Sequence, residues 1–143
     1  MCQSSQRNYT AVTGMVNVQT ANPNLDGSGT LNTLFTADQT PGTVVKAITI
    51  KAAGSNEQGM ARIFISDTNN NVFLWKEIPV PANVQSPTVA AYQTTIRPSY
   101  VLQAGYSLLV TTQNAESWNF IAECIEWINC PCLKENDVNS QKN

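Results

Sequence analysis

The chain contains no histidine, and that absence removes the commonest general base and the commonest transition-metal ligand. Ser/His/Asp and Cys/His nucleophile arrangements cannot be built, and no glycine loop followed by Lys and Ser or Thr is there to cradle a phosphate. Charge is scarce too. Only 13% of residues are Asp, Glu, Lys or Arg, for a formal net charge of −2, whereas an average soluble domain is about 25% charged. The eight basic residues are scattered, so the electrostatic stripe of a nucleic-acid binder is missing and no nucleic-acid partner is expected. No apolar run reaches the roughly 18 residues of a spanning helix, and no basic-then-apolar leader precedes the domain, so no membrane association is expected. Four cysteines in 143 residues are too few for a disulfide scaffold, which makes a reducing cytoplasm the expected site of synthesis.

What is present is 42% apolar residues alongside many uncharged Thr, Ser, Asn and Gln. Such a surface suits contact better than repulsion. A chain of this length fits one domain and buries roughly 68% of its unfolded surface without staples. Its apolar residues come in short runs separated by Gly, Pro and Asn clusters, with no sustained period of 3.6. The pattern predicts strands at 12–20, 31–37, 43–53, 60–67, 72–79, 92–97, 106–113 and 119–128, with no helix. The strongest hairpin is "GMARIFISDTNNNVFLWKEIPVP", turning through Asp67 to Asn71, residues that tolerate a left-handed backbone. Period-two alternation puts Ala61, Ile63 and Ile65 on one face and Arg62, Phe64 and Ser66 on the other. In the second strand, Leu74 and Ile78 are expected opposite Phe73 and Trp75. In "TVVKAITIKAAG" the alternation is interrupted by Lys46. Prolines 79, 81, 87 and 98 mark strand ends and edges.

These elements predict an all-β fold: a single sandwich, jelly-roll-like, of about eight strands over residues 12–132. Ile48, Ile50, Ile63, Ile65, Leu108, Val110, Phe120 and Ala122 are the expected core. Extended polar arms are expected at 1–11 and 133–143. "KENDVNSQKN" has Val138 as its one apolar residue, too little to fold onto its own domain, so it is expected to dock on a neighbour, for example by strand addition.

No motif carries chemistry. Glu123 and Glu126 project to opposite faces of a strand, while Asp67 and Glu116 occupy turns, so an acid/base pair could come only from distant strands. No catalytic residue is assigned. In "CIEWINCPC", zinc would need four ligands, and Cys2, Cys124, Cys130 and Cys132 supply four only if the chain ends meet. A bridge within Cys130-Pro131-Cys132 would be strained. Reduced structural thiols, a disulfide joining the ends and a metal site all stay open, and the first fits best because Cys124 shares a face with Phe120 and Ala122. No cofactor or metal is therefore expected. "NLDGSGT" resembles a calcium loop in its oxygens and glycines, but without an EF-hand's distal glutamate it reads as a turn. Phe64, Phe73, Trp75, Trp118 and Val138 are the candidate interaction residues. Trp75, Trp118 and Trp127 offer an alternative, a sugar-stacking platform.

The blocks "VKAITIKA", "GMARIFI", "KEIPVP", "LQAGY" and "TQNAESWN" stand in an order that resembles the auxiliary, or decorating, capsid proteins of crAss-like tailed bacteriophages, over about residues 40–125. These are strand and turn blocks, and the cysteine cluster lies outside them. The resemblance implies a jelly-roll-like fold, no catalysis, and a virion structural protein on the capsid surface, bound as an oligomer or lattice element to the major capsid protein or another head component. It implies no specific contact residue. A carbohydrate-binding sandwich, as in a phage or cell-surface adhesin, is the alternative function.

Overall fold

Strands rich in β-branched and aromatic residues, with turn residues between them, can bury one face only by stacking one sheet on another. The computed structural model describes residues 8–38 and 42–128. Among them are nine strands and no helix: β1 (Asn8–Val18), β2 (Asn32–Thr36), β3 (Thr43–Ala52), β4 (Gly59–Ser66), β5 (Val72–Val80), β6 (Gln93–Ile96), β7 (Tyr100–Leu102), β8 (Ser107–Thr112) and β9 (Trp118–Ile128). One sheet has the order β1-β9-β3-β6, with β7 also paired to β3, and the other has the order β2-β8-β4-β5. All of these pairings are antiparallel.

Successive strands cross between the sheets except at the β4–β5 hairpin and the β6–β7 step. β6 pairs with Ile48 to Lys51 and β7 with Thr43 to Val45, so the two act as one edge strand broken at Arg97-Pro98-Ser99. With that strand counted once, eight strands interleave in two four-stranded sheets, the connectivity of a jelly roll. Ser99 takes a positive φ of 48° at the break. Across from it, the β3–β9 pairing steps from Val45↔Cys124 to Ala47↔Glu123, which leaves Lys46 as a bulge residue. This explains the interrupted alternation: the bulge lets Lys46 face solvent while Val45 before it and Ile48 and Ile50 after it all point inward.

The core lies between the sheets. Ile48, Ile50, Ile63, Leu108, Val110, Phe120 and Ala122 are fully buried there, as expected, while Ile65 is only partly buried against them. Burying each of the larger of these side chains stabilises the fold by about 1.5–3 kcal/mol.

Two expectations change. β1 begins at Asn8, inside the segment expected to be an N-terminal arm, because its pairing with β9 continues without a break from Val18↔Trp118 to Asn8↔Ile128. In the hairpin, the pairing steps from Ile63↔Lys76 to Phe64↔Leu74 and leaves Trp75 bulged. Leu74 and Ile78 therefore do not share a face; Ile78 and Trp75 both pack against the core. The C-terminal arm expected at 133–143, with Val138, and residues 1–7 lie outside the described residues.

The second sheet's outer face is roofed by its own chain. Residues 19–31 leave β1, and Ala21 bridges Thr112, where the Asn22 amide donates to the Thr112 carbonyl at 2.8 Å. Further along, Gly27 packs so closely on Val72 that a Cβ there would stand 2.9 Å from the valine Cβ. The buried Asn22 side chain ties the connection together by donating to the Ser28 and Thr30 carbonyls at 3.0 and 2.8 Å. Between those anchors Arg62, Phe64 and Thr111, all facing away from the core, are buried.

Candidate interaction face

The first sheet's outer face carries no such roof among the described residues, and the register sets its side chains out in rows. The first row is apolar: Val101 of β7, Val44 of β3, Ile125 of β9 and Ala11 of β1 stand side by side across four strands. Next comes a charged row, with Lys46 in its bulge, then Glu123, then Thr13. The third row is mixed: Thr95, Thr49, Ile121 and Met15, with the Thr49 and Thr95 hydroxyls hydrogen-bonded at 3.0 Å. The fourth is polar: Gln93, Lys51, Asn119 and Asn17. There the Asn17 side-chain amide donates to Asn119 Oδ1 at 2.8 Å, and Lys51 Nζ donates to the Ala91 carbonyl at 2.9 Å.

Polarity is thus graded along the strands, from an apolar end to an amide-rich end. Val101 and Met15 are 56% and 70% exposed, and a shallow depression at the apolar end is lined by Tyr9, Val44, Lys46 and Ile125. The face carries one carboxylate and two ammonium groups on a backbone that the β ladder holds in register. Such a surface can exclude water over a broad contact, whereas it offers no enclosed cavity for a small substrate.

The candidate residues expected from the sequence do not converge on one place. Phe64 and Trp118 are 0% and 1% exposed, so neither reaches a partner from this fold. Phe64 does lie opposite Ile63 and Ile65 as expected, but the β1–β2 connection covers it, which no local pattern could signal. Trp118 packs in the core with its ring edge-on to Tyr92 and its indole N–H donating to Glu116 Oε1 at 3.3 Å. Trp75 is half-buried between the sheet edges, and Lys76 Nζ lies 5.2 Å from its ring centre. Only Phe73 stands well into solvent, at 60% exposure. Val138 lies outside the described residues. A three-tryptophan sugar platform is not assembled, because Trp118 is internal; the Trp127 side chain is not among those described.

The outer rows were missed because each of their residues, taken singly, is an ordinary strand residue. A cross-strand register was needed to line up Val101, Val44, Ile125 and Ala11, and period-two alternation in β3 and β9 was the only signal available.

Cys124 is a buried free thiol in the core. Burial, and secondarily the charge of Glu126, push its pKa from 9.0 up to about 11, the reverse of what a reactive thiolate needs. Cys2, Cys130 and Cys132 lie outside the described residues, among which no group of three or more metal-ligating side chains occurs. Glu123 and Glu126 do face opposite ways; Glu126 is buried and accepts a hydrogen bond from the Thr43 hydroxyl at 3.0 Å. In "NLDGSGT" the Asp26 carboxylate accepts from Ser28 N–H at 3.0 Å and from the Ser28 hydroxyl at 2.6 Å, a turn closed on itself. Those bonds hold its carboxyl below the usual range. No helix among the described residues is long and apolar enough to cross a membrane. No family model matches the chain, and no curated protein matches it.

Proposed function

We propose that the chain is a non-enzymatic structural subunit of a bacteriophage virion, an auxiliary protein that decorates or reinforces the capsid or another head component. It is made in the host bacterial cytoplasm and lays the outer face of the β1-β9-β3-β6 sheet on the major capsid protein or a neighbouring virion protein. One observation carries this reading: of the two outer faces, one is roofed by the chain's own β1–β2 connection and the other is left open with an ordered row of apolar groups. Covering that row together with Met15 on the same face would gain roughly 25 cal/mol per Å² of apolar surface removed from water. The order of the strand and turn blocks over residues 40–125, which resembles capsid-decorating proteins, points the same way.

The test is co-sedimentation with purified phage heads that lack this protein. Wild type should pellet with the heads, and the double variant Val44→Glu/Val101→Glu should lose binding at least tenfold while keeping its melting temperature. Undiminished binding by that variant, or no binding by wild type, overturns the reading. A glycan array run alongside addresses the adhesin alternative: saturable sugar binding abolished by Trp75→Ala would favour it.

A further inference from the structure

Four strands form the sheet edges of this sandwich, and three of them are guarded against pairing with another chain. β2 is short and bulged between Thr33 and Phe35. β5 is bulged at Trp75 and carries Lys76, Glu77 and Pro79. The β6–β7 edge is broken at Arg97-Pro98-Ser99. These are the devices by which soluble β-proteins blunt their edges. β1 has none of them. Its 11 residues, "NYTAVTGMVNV", contain no proline and no charge, its register against β9 runs without a bulge, and among the described residues it is paired on one side only.

We infer that β1 is a homodimerisation edge: β1 of a second copy pairs with it antiparallel about a two-fold axis. Full overlap of two Asn8–Val18 strands puts the axis at their midpoint, Thr13. Thr13 then faces Thr13 of the partner, and Ala11 faces the partner's Met15. An uncharged strand meets its own copy with no like charges opposed, a requirement that a Lys- or Glu-bearing edge would fail. The pairing forms about ten main-chain hydrogen bonds, the number found in a standard protein interface, and joins the two open sheets into one continuous sheet. It also covers part of Met15, which is 70% exposed. The inference uses the backbone edge rather than the outer face, so it stands whether or not that face meets a capsid.

Two measurements test it. In the first, light scattering after size exclusion should give a dimer for wild type, and Thr13→Lys should raise the dissociation constant at least tenfold by setting two ammonium groups together on the axis. The monomer tolerates this change, because Thr13 is exposed and its neighbour on β9 is Glu123; circular dichroism checks that it folds. The second measurement reads the register. In full-length protein with Cys2, Cys130 and Cys132 replaced by serine, Thr13→Cys should form an inter-subunit disulfide on oxidation, since cross-strand partners have Cα atoms about 4.5–5.5 Å apart, within the range that bridges allow. Asn17→Cys in the same background should not, because the two copies of residue 17 lie about 27 Å apart in this register. A monomeric wild type, a Thr13→Lys variant that dimerises as tightly as wild type, or cross-linking at 17 equal to that at 13 overturns the inference.

Discussion

Trp75 on the β5 edge of one sheet leans on Tyr100 on the β7 edge of the other, with ring centroids 4.9 Å apart and planes tilted by 45°. The contact exists because the β5 bulge turns Trp75 toward the core side, where both residues pack against buried side chains. It ties the β5 edge of one sheet to the β7 edge of the other. Trp75→Ala should therefore lower stability by about 2 kcal/mol, or roughly 4–8 °C in melting temperature. Trp75→Phe should recover most of that loss. A melting temperature unchanged by the alanine variant would show that the edge is held by other contacts.

Gly14 faces inward where β1 passes β2. A Cβ at this position would stand 3.0 Å from Phe35 Cβ and closer still to the Leu34 carbonyl oxygen, which is backbone and cannot swing aside. Gly14→Ala is expected to cost about 1–3 kcal/mol through overpacking. Gly54, where a Cβ would find nothing within 4 Å, is the control, and Gly54→Ala should be close to neutral. Urea unfolding of the two variants checks the contrast, which would fail if their midpoints matched.

The Cys124 thiol makes the fold sensitive to alkali. Its pKa is raised in the folded state from 9.0 to about 11, so above pH 9 the unfolded chain releases a proton that the native chain retains. Stability must then fall as pH rises from about 9 to about 11, by up to roughly 2–3 kcal/mol from this group. Other groups titrate in that window, so the quantity to measure is the difference in pH dependence between wild type and Cys124→Ala. Parallel curves for the two proteins would exclude the thiol as the cause.

Arg62 lies buried beneath the β1–β2 connection, its Nε paired with Glu77 Oε2 at 3.1 Å. Its Nη1, like the Thr111 hydroxyl opposite it, is buried without a hydrogen-bond partner among the described residues. Glu77→Ala, which strands the guanidinium, should cost about 1–3 kcal/mol. Arg62→Met, which removes the buried donors and keeps the stem's volume, should cost less. Chemical denaturation that ranks the two the other way round would show the ion pair to be a net stabilising feature.

Period-two alternation was enough to find most strands, because a sheet with one buried face imposes that period on any sequence that forms it. It located Ile48, Ile50, Ile63 and Phe120 in the core without knowledge of their partners. It failed at Trp75, where a bulge resets the phase by one residue and carries Leu74 and Ile78 to different faces. It failed differently at Phe64, where the phase is right and the environment is not: the side chain points outward and is buried all the same. The candidate face was least legible, since its apolar row takes one residue from each of four strands that are distant in sequence.

The sequence by itself determined the class of this protein: all-β from its period and turn residues, without histidine-based chemistry from its composition, and with Cys124 on the face that it shares with Phe120 and Ala122. Only the tertiary structure decided which surfaces are left for other molecules. Whether an outward-facing residue meets water or the chain's own loop depends on the path of residues 19–31, and whether a strand has a free edge depends on its place in the sheet. Both are long-range consequences of how strands interleave between two sheets, whereas alternation within a strand reports only which side of that strand a residue is on.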